Sequence, residues 1–110
     1  MRREPCKAWG HLFPADETAR RAANSALEAW GLPPCADLDD AGVLNIAFEG
    51  ALFPLDDIVE ALIPCLNEAS SGKIDLCDME NWTLTRASFT GREVRLSTAG
   101  LNDVLAYSGH

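Results

Sequence analysis

The chain has 110 residues, 47% of them hydrophobic and 24% charged, with nine Lys and Arg against seventeen Asp and Glu for a net charge of −8. That composition fits one domain with an ordinary core and excludes disorder. Apolar runs far shorter than the ~18 residues of a membrane span exclude a transmembrane segment, and the negative charge excludes general binding to nucleic acid or to anionic membrane.

Residues 1–13 show no clear period and read as an N-terminal arm carrying Trp9, Leu12 and Phe13. Arg2 and Arg3 precede no apolar stretch, so no signal peptide is expected and the expected compartment is the cytoplasm. Pro14 to Trp30 predicts a helix, because Ala15, Ala19, Ala22, Ala23, Ala26, Leu27 and Trp30 form one stripe at helical spacing. Asp16 and Glu17 suit the positive end of the helix dipole and stand four residues before Arg20 and Arg21. Gly31 then predicts a left-handed stop, with Leu32 folding back on Leu27 as in a Schellman motif and Pro33-Pro34 forbidding continuation. So many alanines in the stripe require a closely packed neighbour.

Residues 33–42 read as a turn-rich acidic linker. Val43 to Glu49 alternates, with Leu44, Ile46 and Phe48 on one side, which predicts a half-buried strand. Pro54 to about Ser70 predicts a second helix, and Pro64 inside it forces a kink or two short helices. Strands are expected at Lys73–Cys77, Trp82–Phe89 and Glu93–Ser97, the last two as a hairpin around Thr90-Gly91. Ser97 or Thr98 would cap a last short helix with Leu101, Val104 and Leu105. The expected fold is a two-layer α+β domain over residues 1–110, in the order α-β-α-β-β-β-α, with helices on one face of a small antiparallel or mixed sheet.

The cysteines, Cys6, Cys35, Cys65 and Cys77, lie in no close pair, and His11 and His110 are the only histidines. They read as reduced, buried hydrophobes rather than zinc ligands or disulfides. Cys65 has no evident base to activate it. Asp37-Leu38-Asp39-Asp40-Ala41-Gly42 begins like a calcium loop, but Ala41 and Phe48 stand at ligand positions five and twelve, so it reads as a polar turn. Asp56, Asp57 and Glu60 have the spacing to share an ion or a proton-transfer task, yet the dipole alone favours acids at a helix start. No phosphate loop, dinucleotide fingerprint, zinc-protease motif or serine elbow is present, and no cofactor or metal is expected. Arg86, Arg92 and Arg95 flank the hairpin turn, too few to bind RNA without an aromatic platform, and Trp82 and Phe89 have opposite strand parity.

Charge is unevenly placed. Residues 22–85 carry −11, while the segments before and after carry +2 and +1. A field of one sign speeds encounter with a basic partner and can occupy a groove that otherwise holds phosphates. The expected function is therefore a non-enzymatic binding protein, an inhibitor or regulator docking on a basic protein or nucleoprotein without contacting nucleic acid directly. The expected docking residues are Asp37, Asp39, Asp40, Glu49, Asp56, Asp57, Glu60, Asp75, Asp78 and Glu80, with Trp9, Leu12 and Phe13 as a secondary surface. Small acidic inhibitors of nucleic-acid machines, phage counter-defence proteins among them, use this logic; the analogy is one of charge and size and rests on no motif. The alternatives are a small metal-dependent enzyme using the second-helix carboxylates and a homo-oligomeric structural module.

Overall fold

The computed structural model describes residues 5–101. Their order is β1 (Cys6–Phe13), α1 (Glu17–Glu28), β2 (Ala36–Leu38), β3 (Leu44–Gly50), α2 (Leu55–Leu62), one turn of 3-10 helix (Ile63–Cys65), β4 (Ser71–Asp78), β5 (Thr83–Thr90) and β6 (Glu93–Gly100). All strand pairs are antiparallel, in one six-stranded sheet of order β2-β3-β1-β4-β5-β6. The strands and α-helices from β1 to β4 have the connectivity of a ferredoxin-like split βαβ, and the β5–β6 hairpin extends that sheet beyond β4.

The class and the one-sided helix layer are as expected, but the element order is not. The supposed arm is β1, the central strand, held between β3 and β4 along its whole length. Its alternation was hidden because Gly10 interrupts the apolar row Cys6, Ala8, Leu12, while Trp9 and Phe13 fill the other side. A Cβ on Gly10 would sit 2.2 Å from the Lys73 carbonyl oxygen, so the close approach of β1 to β4 requires glycine there. The supposed linker contains β2, and Ser97 and Thr98 lie inside β6 instead of capping a helix. Val104 and Leu105 fall outside the described residues.

Register sorts the side chains onto two faces. Ala8, Leu12, Leu44, Ile46, Ile74, Ala87 and Phe89 point to the helix side and form one core with Ala19, Ala23 and Leu27 of α1 and Leu55, Ile58, Val59 and Leu62 of α2. The close neighbour that the alanine stripe requires is α2. Asp16 caps α1 by accepting from the Ala19 N–H, and Glu17 pairs with both Arg20 and Arg21. Gly31, at φ 73°, ends the helix with Leu32 N–H bonded to the Leu27 carbonyl and Gly31 N–H to that of Glu28, the expected Schellman pair. Pro64 splits the second helical segment where its missing N–H demands, leaving α2 and the 3-10 turn.

The two sheet edges are treated differently. At β2, the buried Asn24 of α1 donates to the Ala36 carbonyl (3.1 Å) and accepts from the Ala36 N–H (3.0 Å), acting as a substitute strand. At the other edge β6 pairs, among the described residues, with β5 alone, and α1 and α2 stop short of it. Leu96, on the helix side of β6, is 50% exposed.

Candidate functional site

The strand ends near Cys6 collect several acids. Cys6 pairs with Gly50 on one side and Asp78 on the other, which brings Glu49 and the β4–β5 turn to the same end. α2 starts at this end too, five residues after Gly50, presenting Asp56 and Asp57. The Cys6 thiol registers the crowding: burial raises its pKa most, and the carboxylates of Asp78 and Glu80 raise it further. Three chain segments thus bring acids to this end, Glu49 on the helix-free face, Asp56 and Asp57 at the start of α2, and Asp78 and Glu80 in the β4–β5 turn. Lys7 answers one of them, at 3.4 Å from Glu49.

Exposed apolar side chains stand among these acids. Trp30, just past α1, donates its indole N–H to Asp57 and is 51% exposed. Leu52, Met79 and Trp82 are also exposed. Trp82 has φ 58°, a left-handed conformation that is uncommon for a bulky side chain and concentrates at functional sites. The turn that carries it is fixed by Asp78, which accepts from the backbone N–H groups of Glu80 and Asn81 and from the Asn81 side chain. Those bonds, the Asn81 N–H foremost, hold the Asp78 carboxyl below its ordinary range.

Beside this end a cleft of about 450 Å³ opens between the helix layer and the uncovered half of the sheet. Trp30, Phe53, Leu55, Asp56 and Asp57 form one wall, and Leu76, Thr85 and Thr98 form the floor. Thr85 and Thr98 share a hydroxyl–hydroxyl bond of 2.9 Å. Among the described residues no Lys or Arg lines it.

The remaining predicted docking residues lie elsewhere. Asp37 projects from β2 on the helix-free face, opposite Asn45. Asp39 and Asp40 sit in the β2–β3 turn at the far end of the sheet, where Asp39 accepts from the N–H groups of Ala41 and Val43 and from the Asn45 side chain. The Val43 bond leads in pulling the Asp39 carboxyl below its ordinary range. Its oxygens close a turn, which accounts for the aspartate run without calcium. Glu60 is exposed farther along α2.

Asp75 is not a docking residue, because it is 3% exposed. It lies on the helix-free face between Trp9 and Arg86, and Arg86 clasps it with two bonds of 2.7 and 3.0 Å while Lys73 stands 3.8 Å away. The secondary surface loses Leu12 for the same reason: it is 2% exposed and faces the core, leaving Trp9 and Phe13 on the helix-free face. No group of three or more His, Cys, Asp or Glu able to hold a metal occurs among the described residues, so Asp56, Asp57 and Glu60 do not converge on an ion. All four cysteines are free thiols, and burial is the main cause raising the pKa of Cys6, Cys35 and Cys65, which keeps them protonated and weakly nucleophilic.

Sequence reasoning missed the grouping because it depends on strand register. The signals were present: Trp82 follows Asp78 and Glu80 within one turn, and Trp30 follows the glycine-stopped helix. Only pairing of β1 with both neighbours brings them together.

These features define an α+β domain with an acidic end studded with aromatic side chains. No protein-family model matches the chain, and no curated protein or solved structure matches it significantly. No helix among the described residues is long and apolar enough to cross a membrane.

Proposed function

We propose that the protein is a non-enzymatic binding protein of the cytoplasm that docks its acidic end on a basic surface of a partner protein or nucleoprotein, and so inhibits or regulates it. One observation carries the reading: exposed Trp30, Leu52, Met79 and Trp82 stand among Glu49, Asp56, Asp57, Asp78 and Glu80 at a single end of the sheet. Aromatic and apolar anchors supply affinity in interfaces, while a surrounding field of one sign steers encounter and selects the partner. A solubility charge needs no such anchors.

The test compares two neutralised variants of the full chain against the partner recovered from its host. Asp56→Asn with Asp57→Asn and Glu80→Gln acts at the acidic end; Asp37→Asn with Asp40→Asn acts away from it. The first set is expected to slow association on the order of tenfold at low salt and to flatten its salt dependence, with dissociation changing less. The second set is expected to do little. Equal effects from both sets, or association insensitive to salt, would leave the acidic end as a solubility device and defeat the proposal.

A further inference from the structure

The two edges of the sheet and the cleft point to how such a partner is held. One edge is closed: β2 is three residues long and its backbone is met by Asn24. The other is open among the described residues: β6 runs eight residues, Glu93–Gly100, and is paired on one side only. An unmet row of backbone N–H and C=O groups is a template for another strand, and natural sheets shorten, bulge or cover such edges. Here β6 is full-length and in continuous register with β5. Helices α1 and α2 end before it, Leu96 is half-exposed among the described residues, and the cleft floor continues onto Thr98.

We infer that β6 takes an extended segment of the partner as a seventh strand, one that presents an apolar residue and a Lys or Arg two positions apart toward the helix side. This rests on the acidic-docking reading and specifies its geometry. Register dictates the side chains. The row Ile74–Ala87–Leu96 would continue into the added strand beside Leu96, where an apolar residue covers exposed apolar surface. The row Leu76–Thr85–Thr98 would continue two residues along, on the same face because strand period is two. A basic side chain there overhangs the cleft that Asp56 and Asp57 line and that no Lys or Arg among the described residues lines.

That requirement selects among occupants. A second copy pairing β6 to β6 would offer Val94, Leu96 and Thr98 on the helix side, with its one basic residue, Arg95, on the other face. Residues 102–110 of this chain, Asn-Asp-Val-Leu-Ala-Tyr-Ser-Gly-His, contain neither Lys nor Arg. A basic segment from another protein is the occupant that answers both the edge and the charge.

The probe is the octapeptide Thr-Val-Thr-Lys-Thr-Val-Thr-Lys, which sets Val and Lys on one face, against its Lys-to-Glu counterpart and a scrambled sequence. Titrated into the isotopically labelled full chain, it is expected to shift the amides of Glu93–Gly100 and the Trp30 indole, and to slow amide exchange along β6. The Glu peptide is expected to bind at least tenfold more weakly. Leu96→Lys is expected to weaken the Lys peptide at least tenfold, while Asp56→Asn with Asp57→Asn removes most of the preference for Lys over Glu. Shifts confined to the helix-free face, or equal binding of the Lys and Glu peptides, would overturn the inference. So would outward-pointing β6 amides, those not bonded to β5, already slow to exchange in the free chain: independent of protein concentration, they would mark this chain as its own cover, and dependent on it, a second copy. The peptide result is separable from the acidic-docking reading, because neutralising the acidic end slows association with the native partner whether or not β6 accepts a strand.

Discussion

Replacing Asn24 with Ala tests whether one side chain stands in for a missing strand. The substitution deletes two hydrogen bonds, 3.1 and 3.0 Å, and strands the N–H and C=O of Ala36, a residue 1% exposed. Losing partners for buried polar groups costs about 1–3 kcal/mol each, and some water will reach the edge, so a loss of about 2–4 kcal/mol is expected. A domain of this size holds roughly 5–15 kcal/mol in all, so Tm should fall on the order of 10–20 °C. Urea unfolding followed by tryptophan fluorescence reads the loss as a lower midpoint at unchanged slope. Asn24→Asp refines the test. It keeps the acceptor for the Ala36 N–H but sets a carboxylate against the Ala36 carbonyl. Its folded pKa should rise, so its deficit against wild type is largest at neutral pH and shrinks as pH falls toward the carboxyl range. A loss below about 1 kcal/mol for Asn24→Ala, or an Asn24→Asp deficit flat with pH, would refute the substitute-strand account.

Arg86→Met should destabilise by about 2–4 kcal/mol in the same urea assay, because it leaves the buried Asp75 carboxylate with only Lys73 at 3.8 Å. Adding Asp75→Asn should recover part of that loss, and a strictly additive double variant would show that the two are not coupled. Asp39 and Asp78 both have carboxyls held below their ordinary range by backbone N–H groups, so their contribution is complete above the unfolded pKa and disappears as pH falls through the folded value. Asp39→Asn should therefore be less stable than wild type at pH 7 and converge with it once pH falls below the lowered folded pKa of Asp39, as followed by acid titration of circular dichroism. A thiol reagent should find four reactive groups in the denatured chain and react slowly with Cys6, Cys35 and Cys65 in the native one, since burial raises all three. A fast native phase of full amplitude would contradict that burial.

Much of the fold was legible where a local rule decides conformation. The Schellman stop at Gly31, the break at Pro64 and the hairpin at Gly91 each follow from one residue's backbone limits. β3 was legible because half of it faces solvent and so alternates. β1 was not: Gly10 stands in its core row and Trp9 in its exposed one, so hydropathy reports no period. β2 was not, because its three residues draw their pairing from Asn24 and from β3, both distant in the chain. The acidic composition was plain from the sequence, but the fate of each carboxylate was not. Asp39 closes a turn, Asp75 is buried against Arg86, and Asp56 with Asp57 borders a cleft. Those roles are set by tertiary neighbours, and the aspartates look alike in one dimension.

The central place of β1 also bears on how the chain is made. It leaves the ribosome before both strands that flank it, and its pairing with β4 reaches from Cys6 to Asp78. Closing so long a loop adds little free energy, since each doubling of length costs only about 0.6 kcal/mol. The delay is in time. Until β4 has been synthesised, β1 offers Ala8 and Leu12 on one side, Trp9 and Phe13 on the other, and at least one unmet backbone edge. A nascent chain paused between β3 and β4 is thus at its most adhesive, and this segment is where a holding chaperone would bind or where neighbouring nascent chains would pair. Slower elongation over residues 51–70 should lower soluble yield more than an equal delay after Asp78, when the centre of the sheet has already closed.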